Sequence, residues 1–231
     1  MKAYKHIFFD LDHTLWDFDR NSRETLEELF EIYSLKNYGI HAFEDFVSTY
    51  KIVNDEKWEL YRKGLITKEK LRATRFYDTL LRFEVDHSEL ASEIDREYIL
   101  RSPHKTNLFP NAIEVLGYLS EKYALHIITN GFTEVQDIKM TKSGLKPFFT
   151  HEITSELAGV NKPDPIIFRH ALKTAGAKRT ESIMIGDNLH VDCVGARRVG
   201  IDQVYFNPDK VPHQEKVTFE IVNLGELKSL F

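Results

Sequence analysis

The sequence contains very little cysteine. Cys193 is its single cysteine among 231 residues, so no disulfide can form within the chain, and no N-x-[ST] glycosylation acceptor occurs. Both absences are typical of proteins in a reducing compartment. The apolar run near the N-terminus is Ile7-Phe8-Phe9, which ends at Asp10. It is far shorter than the apolar part of a signal peptide. We therefore expect a cytoplasmic protein.

Long apolar runs and basic clusters are also missing. No uninterrupted apolar segment has the length needed to span a membrane. The 31 Lys and Arg residues against 36 Asp and Glu give a net charge of −5, unlike the basic footprint of a nucleic-acid-binding protein. We expect neither a membrane nor a polymeric nucleic acid as partner. The 42% of hydrophobic and 29% of charged residues are typical of a globular chain.

Two patterns divide the chain. A short apolar run at residues 7–9 predicts a buried strand, and residues from about 20 to 102 then show only helical periodicity, in four segments. Asn21 and Thr67 are N-cap candidates for the first and third of these helices. Past Pro103, helices alternate with short apolar runs, as in a parallel sheet covered on both faces.

These patterns predict an α/β fold with a doubly wound parallel-sheet core and an inserted four-helix domain. The core comprises 1–16 and 106–231, and the helical insertion comprises 17–105. Further strands are predicted near 124–129, 151–154 and 182–185, with a helix at 164–175.

Polar residues follow the predicted strands where each of them ends. Ligands bind outside the carboxyl ends of parallel strands, so these residues form one candidate site. They are Asp10, Asp12 and Thr14 after the first strand, Thr129-Asn130-Gly131 after the second, Gly186-Asp187 after a later one, and Lys162 on a loop before a helix.

The set Asp10-x-Asp12-x-Thr14, Thr129, Lys162 and Gly186-Asp187-x-x-x-x-Asp192 resembles the four motifs of the haloacid-dehalogenase (HAD) superfamily. The all-helical insertion after the first motif is similar to the cap of that superfamily's helical-cap subclass. The narrower resemblance is to bacterial pyrimidine 5′-nucleotidases. It is carried by residues 128–133 and by cap residues Val53-Asn54, Trp58, Tyr61, Gly64, Ile66-Thr67, Leu71 and Arg75-Phe76.

The resemblance implies a phosphoryl transfer at the strand ends. Asp10 is expected to be the nucleophile that forms an aspartyl-phosphate, and Asp10 and Asp187 offer hard oxygen ligands to Mg²⁺. In the family pattern the backbone carbonyl of Asp12 is a further ligand. Lys162, the Thr129 hydroxyl and the Asn130 N–H would bind the phosphoryl oxygens.

Asp12 indicates the type of reaction. Residues i and i+2 of a strand point the same way, so its carboxyl can protonate the leaving oxygen and then take a proton from water. Superfamily members that cleave carbon–halogen bonds or phosphonates lack this aspartate, so its presence favours phosphate esters. Asp192 is expected to orient the metal shell or Lys162, or to interact with a helix dipole.

Five residues are candidates for substrate specificity. Trp16 and Phe18 follow the first motif, where they could line the pocket. Trp58 and Tyr61 could stack on a nucleobase or belong to the cap core. Arg75 could read a base or sugar oxygen, or pair with a carboxylate of the cap.

The expected function is therefore Mg²⁺-dependent hydrolysis of a small-molecule phosphomonoester, with pyrimidine nucleoside 5′-monophosphates as the leading substrates. Alternatives are a sugar-phosphate or phosphoglycolate phosphatase, a β-phosphoglucomutase-like phosphomutase, and a catalytically silent scaffold. The sequence contains no signal that distinguishes a monomer from an oligomer.

Overall fold

The structure, a computed structural model, describes residues 3–231. The strands of this range are β1 (His6–Phe9), β2 (Ala124–Thr129), β3 (Phe149–Thr154), β4 (Ser182–Gly186), β5 (Asp202–Phe206) and β6 (Phe219–Ile221). They form one parallel sheet in the order β3-β2-β1-β4-β5-β6. The chain therefore builds outward from β1 in both directions, which is the doubly wound arrangement.

The helices fall into two groups. Four belong to the insertion: α1 (Phe18–Ile32), α2 (Phe43–Arg62), α3 (Lys68–Leu81) and α4 (Ser88–Arg101). The others alternate with the strands: α5 (Ala112–Ser120), α6 (Thr133–Lys142), α7 (Ser155–Ala158), α8 (Pro165–Thr174), α9 (Gly195–Arg198) and α10 (Leu227–Leu230), with a π-helical segment Leu189–Val194 before α9. Across residues 3–231 no helix combines the length and the hydropathy that a membrane crossing requires.

The central strand is buried on both faces. Ile7 and Phe9 belong to one apolar cluster, together with residues of α5, and Phe8 belongs to another, together with Ile167 and Phe168 of α8. Adjacent side chains of a strand point to opposite faces, so helices must cover both sides of the sheet. Burying each such side chain stabilises the fold by about 1.5–3 kcal/mol.

The chain divides into two compact units. The first consists of the chain as far as Phe18 together with Thr106–Phe231, and the second is Asp19–Lys105. The second unit has its own core, in which Phe46, Tyr50, Phe76 and Tyr98 pack together. Tyr50 and Phe76 stack with their ring centroids 4.8 Å apart.

The two ends of the insertion are joined within the first unit. An isolated antiparallel bridge pairs Trp16 with Leu108. The Asp17 N–H donates to the Asn107 carbonyl at 3.1 Å. The outgoing and returning chains therefore lie side by side.

The predicted fold class is confirmed, and the differences are local. Thr67 caps α3 by accepting from the Lys70 N–H. The N-cap prediction for Asn21 is wrong, because α1 begins at Phe18 and Asn21 is buried within it. The strands β5 and β6 were not predicted.

Candidate active site

Three neighbouring strands carry the predicted site residues to one edge of the sheet. Asp10 directly follows β1, Thr129 ends β2, and Asp187 directly follows β4. The order β2-β1-β4 places these three ends next to one another. The Asp10 N–H donates to the Ile185 carbonyl of β4 at 2.9 Å, so the sheet ladder continues to the first aspartate.

Lys162 lies at the centre of this edge. Its Nζ donates to Asp10 Oδ1 at 2.7 Å, to Asp192 Oδ1 at 2.7 Å and to the Ile128 carbonyl at 2.8 Å. The residue is 1% exposed, so all three ammonium protons are used inside the protein. Burial would lower the pKa of Lys162, but the two carboxylates raise it above its ordinary value.

Two local devices position Lys162. The Lys162 N–H donates to Asn130 Oδ1 at 2.7 Å, and Asn130 Nδ2 donates to the Lys162 carbonyl at 3.0 Å. Asp164 then caps α8 by accepting from the Ile166 N–H at 2.8 Å, with Pro165 at the first helical position. The lysine is thus held between the end of β2 and the start of a helix.

Asp192 reaches the site from the π-helical segment. Asn188 begins that segment by accepting from the Val191 N–H at 3.0 Å, and the Asn188 N–H donates to Asp192 Oδ2 at 3.0 Å. A Cβ at Gly186 would overlap the Asp192 carboxylate. Glycine is therefore required where β4 passes this side chain.

Asp10, Asp187 and Asp192 form an acidic group. One carboxylate oxygen from each lies within 4.8 Å of the other two, the only such cluster of His, Cys, Asp or Glu in residues 3–231. Burial raises the pKa of Asp10 to about 7, with Lys162 opposing and Asp192 adding to the rise. The pKa of Asp187 is raised to about 6, mainly by burial and secondly by the negative charge of Asp10. Three carboxylates face one ammonium, so the donor set fits a divalent cation.

Thr14 and Thr129 add hydroxyl groups to the site. Thr14 Oγ1 donates to Asp187 Oδ1 at 2.9 Å and accepts from the Asp187 N–H at 3.1 Å. Thr129 Oγ1 accepts from the Gly131 N–H at 3.1 Å and from Gln136 Nε2 at 2.8 Å.

Asp12 has a different environment from Asp10. Gln136 Nε2 donates to Asp12 Oδ2 at 2.8 Å, and Lys139 Nζ donates to Asp12 Oδ1 at 2.5 Å. Burial would raise the pKa of Asp12, but the charge and hydrogen bond of Lys139 and the hydrogen bond of Gln136 lower it below its ordinary value. The two carboxyls of one strand end thus have pKa values shifted in opposite directions.

Gln136 and Lys139 were missed by the sequence analysis. Both lie on α6, the helix that follows Thr129-Asn130-Gly131, and both are buried together with Met140. No sequence signal marked them, because an amide and an ammonium three residues apart on a helix are typical of its solvent-facing side.

The specificity candidates fall in different places. Trp16 is buried and Phe18 half-buried in the first unit, with ring centroids 6.1 Å apart. Trp58 and Tyr61 are half-buried on α2 with centroids 5.6 Å apart in an edge-to-face arrangement. Arg75 is buried in the second unit, where its Nε donates to Asp95 Oδ1 at 2.7 Å. Pairing with a cap carboxylate, one of the two roles considered for Arg75, is present.

A parallel sheet covered by helices, with an acidic edge and a buried lysine, forms a candidate α/β enzyme site. Residues 4–200 match the family of haloacid dehalogenase-like hydrolases. The chain belongs to this family, which confirms the resemblance seen in the sequence and the expectation of an enzyme.

Several relatives are similar over nearly the full length. Pyrimidine 5′-nucleotidase PynA of Streptococcus pneumoniae is 32% identical, covering 97% of this chain and 93% of that protein. Pyrimidine 5′-nucleotidase YjjG of Escherichia coli is 31% identical, covering 97% and 96%. The crystal structure of HAD-hydrolase YfnB from Bacillus subtilis, bound to magnesium, superposes with a TM-score of 0.89 at 27% identity, covering 99% of each chain.

Replacing Lys162 tests the electrostatic balance of the site. We expect Lys162→Met to lower the free energy of unfolding by about 3–5 kcal/mol, because buried carboxylates lose their cation. Urea unfolding in the presence of a chelator measures the change. Adding Asp192→Asn should recover part of the loss, and Lys173→Met, at an exposed lysine of α8, should change it by less than about 0.5 kcal/mol. A loss below about 1 kcal/mol for Lys162→Met would contradict the expectation.

Proposed function

We propose that this chain is a Mg²⁺-dependent phosphomonoester hydrolase that forms an aspartyl-phosphate on Asp10, with pyrimidine nucleoside 5′-monophosphates as substrates. The observation that carries the proposal is the meeting of Asp10 with Lys162, Asp187 and Asp192 at one sheet edge. The names of the nucleotidase relatives support the substrate class. We also propose the cytoplasm as its location.

The metal would be held by the carboxylates of Asp10 and Asp187 and by the backbone carbonyl of Asp12. Bound there, Mg²⁺ supplies positive charge that screens the nucleophile from the phosphate dianion. Asp192 accepts a hydrogen bond from Lys162 Nζ and thereby orients the lysine next to the residues that would hold the metal.

The chain's own groups account for the remaining chemistry. A carboxylate oxygen of Asp10 attacks phosphorus while the ester P–O bond breaks, and the leaving oxygen takes a proton from the Asp12 carboxyl. Lys139 and Gln136 favour the ionised form of Asp12 in the free enzyme, so this step requires Asp12 to gain a proton when the phosphate dianion binds beside it.

The Thr129 hydroxyl and the Asn130 N–H stabilise the charge on the transferring phosphoryl group by donating hydrogen bonds. Lys162, whose three protons are already donated within the protein, stabilises it through its positive charge. Asp12 then takes a proton from the water that attacks the aspartyl-phosphate, which releases phosphate and regenerates Asp10.

Asp10→Asn tests the nucleophile. Carboxamide oxygen is a far weaker nucleophile than carboxylate, so we expect turnover of phosphomonoesters to fall by more than about 1,000-fold, with circular dichroism and the urea midpoint showing a folded protein. Phosphate release in Mg²⁺ measures the change. A folded Asp10→Asn protein that keeps near wild-type rates would overturn the assignment.

The metal requirement has a separate test. EDTA should abolish hydrolysis, Mg²⁺ should restore it, and Mg²⁺ should raise the melting temperature of the wild type, because cation binding relieves repulsion among the carboxylates. Asp187→Asn removes one ligand and should weaken Mg²⁺ binding, measured by calorimetry, by about tenfold or more. Unchanged affinity in Asp187→Asn would place the metal elsewhere.

A panel of monophosphates tests the substrate class. We expect kcat/KM for pyrimidine nucleoside 5′-monophosphates to exceed that for purine counterparts by about tenfold or more, a ratio that a difference in base size can produce. Phosphoglycolate and hexose phosphates complete the panel. A higher kcat/KM for one of these compounds would contradict the nucleotide assignment and favour the sugar-phosphate or phosphoglycolate alternative. An isomerised sugar phosphate as product, in place of free phosphate, would identify a phosphomutase.

A further inference from the structure

The polar face of α6 holds both oxygens of Asp12. Gln136 and Lys139 are three residues apart and therefore project from one side of the helix. Each donates to a different oxygen of the Asp12 carboxylate. The plane of this carboxylate is thus fixed by two partners from a single rigid element.

This arrangement is expensive for the fold. Gln136 is 2% exposed and Lys139 is 5% exposed. Within residues 3–231, Gln136 Oε1 is buried and has no hydrogen-bond partner, a cost of about 1–3 kcal/mol. Apolar side chains at both positions would cover the sheet without these costs. Packing alone therefore does not account for the pair.

The surroundings keep Lys139 and Gln136 in place. Lys139 Nζ lies 4.2 Å from the centroid of the Trp16 ring and 5.6 Å from that of Phe18, so aromatic faces complement its charge. A Cβ at Gly131 would overlap the Gln136 side chain, so the turn after β2 leaves room for the amide only because it carries glycine.

One amide group joins two parts of the site. Gln136 Nε2 donates to Asp12 Oδ2 and also to Thr129 Oγ1, each at 2.8 Å. The hydroxyl assigned to the phosphoryl group and the carboxyl assigned to the leaving oxygen are therefore set at a defined separation by Gln136.

We propose that Gln136 and Lys139 are positioning residues that aim the Asp12 carboxyl at the leaving-group oxygen. The contribution of Lys139 is confined to protonation of that oxygen, whereas Gln136 also orients the Thr129 hydroxyl. The inference rests on the proposed function, since it requires ester hydrolysis through Asp12. Neither residue touches the phosphoryl group in this scheme. A general acid contributes about 100- to 10,000-fold to such a step, and misaligning it forfeits part of that factor.

Leaving groups of different basicity separate this role from a structural one. p-Nitrophenolate departs without a proton, whereas phenolate and the 5′-oxygen of a nucleoside require one. The parameter kcat/KM covers steps up to phosphoryl transfer and excludes the later hydrolysis of the aspartyl-phosphate, in which Asp12 acts as a base. A loss of fold would lower kcat/KM for all three esters together.

The variants are Gln136→Met and Lys139→Met, with Lys139→Arg as the conservative replacement. We expect Lys139→Met to lower kcat/KM for phenyl phosphate and the nucleotide by about 10- to 100-fold, and for p-nitrophenyl phosphate by less than about threefold. Gln136→Met should show the same difference between leaving groups together with a smaller loss common to all three esters, because it also releases the Thr129 hydroxyl. Lys139→Arg should recover part of the loss. Lys142→Met, at an exposed lysine of the same helix, should leave all three values unchanged.

Asp12→Asn provides the reference. Its kcat/KM should also fall more for phenyl phosphate and the nucleotide than for p-nitrophenyl phosphate. Adding Lys139→Met to Asp12→Asn should change this difference little, because the second substitution acts only through Asp12. Equal losses on all esters, no loss on any, or full additivity with Asp12→Asn would overturn the inference. Should Lys139→Met fail to fold, Gln136→Met and Lys139→Arg carry the comparison. A wild type inactive on every monophosphate would instead contradict the proposed function.

Discussion

The structure depends on negative charge that is concentrated and buried at one edge of the sheet. Three carboxylates meet there around a single ammonium, that of Lys162. Such a group is unfavourable unless every side chain is held by other parts of the protein. The Asn130 clamp on the lysine, the capped start of α8 and the glycine that faces Asp192 all serve this requirement.

Two aspartates of the same strand end have opposite environments. Asp10 lies among other carboxylates, which with burial favour its neutral form, whereas Asp12 faces an ammonium and an amide that favour its ionised form. In the free enzyme these shifts are opposite to those that a nucleophile at Asp10 and an acid at Asp12 need, so the proposed roles would depend on the charges that the cation and the phosphate bring to the site. The two pKa values differ because β4 and the segment after it supply further carboxylates next to Asp10, while α6 supplies an ammonium and an amide to Asp12.

Much of the fold and the acidic edge could be predicted because their signals are local. Strand β1 is a compact apolar run, and Asp10, Thr129 and Asp187 mark the strand ends that topology then brings together. Strand β6 has three residues, Phe219–Ile221, too short for a periodic signal, and β5 begins with Asp202 and Gln203. Gln136 and Lys139 resemble surface residues of any amphipathic helix, and only tertiary contact with Asp12 shows that they are buried.

The bridge between Trp16 and Leu108 has a consequence for how this architecture can change over evolutionary time. Because the exit and the return of the insertion are hydrogen-bonded to each other, the distance that any inserted segment must close is already short. The entropy of closing a loop grows only slowly with its length. Segments of very different size could therefore be exchanged at this junction with little effect on the stability of the sheet, which makes it a natural point for grafting new recognition domains onto an unchanged reaction centre.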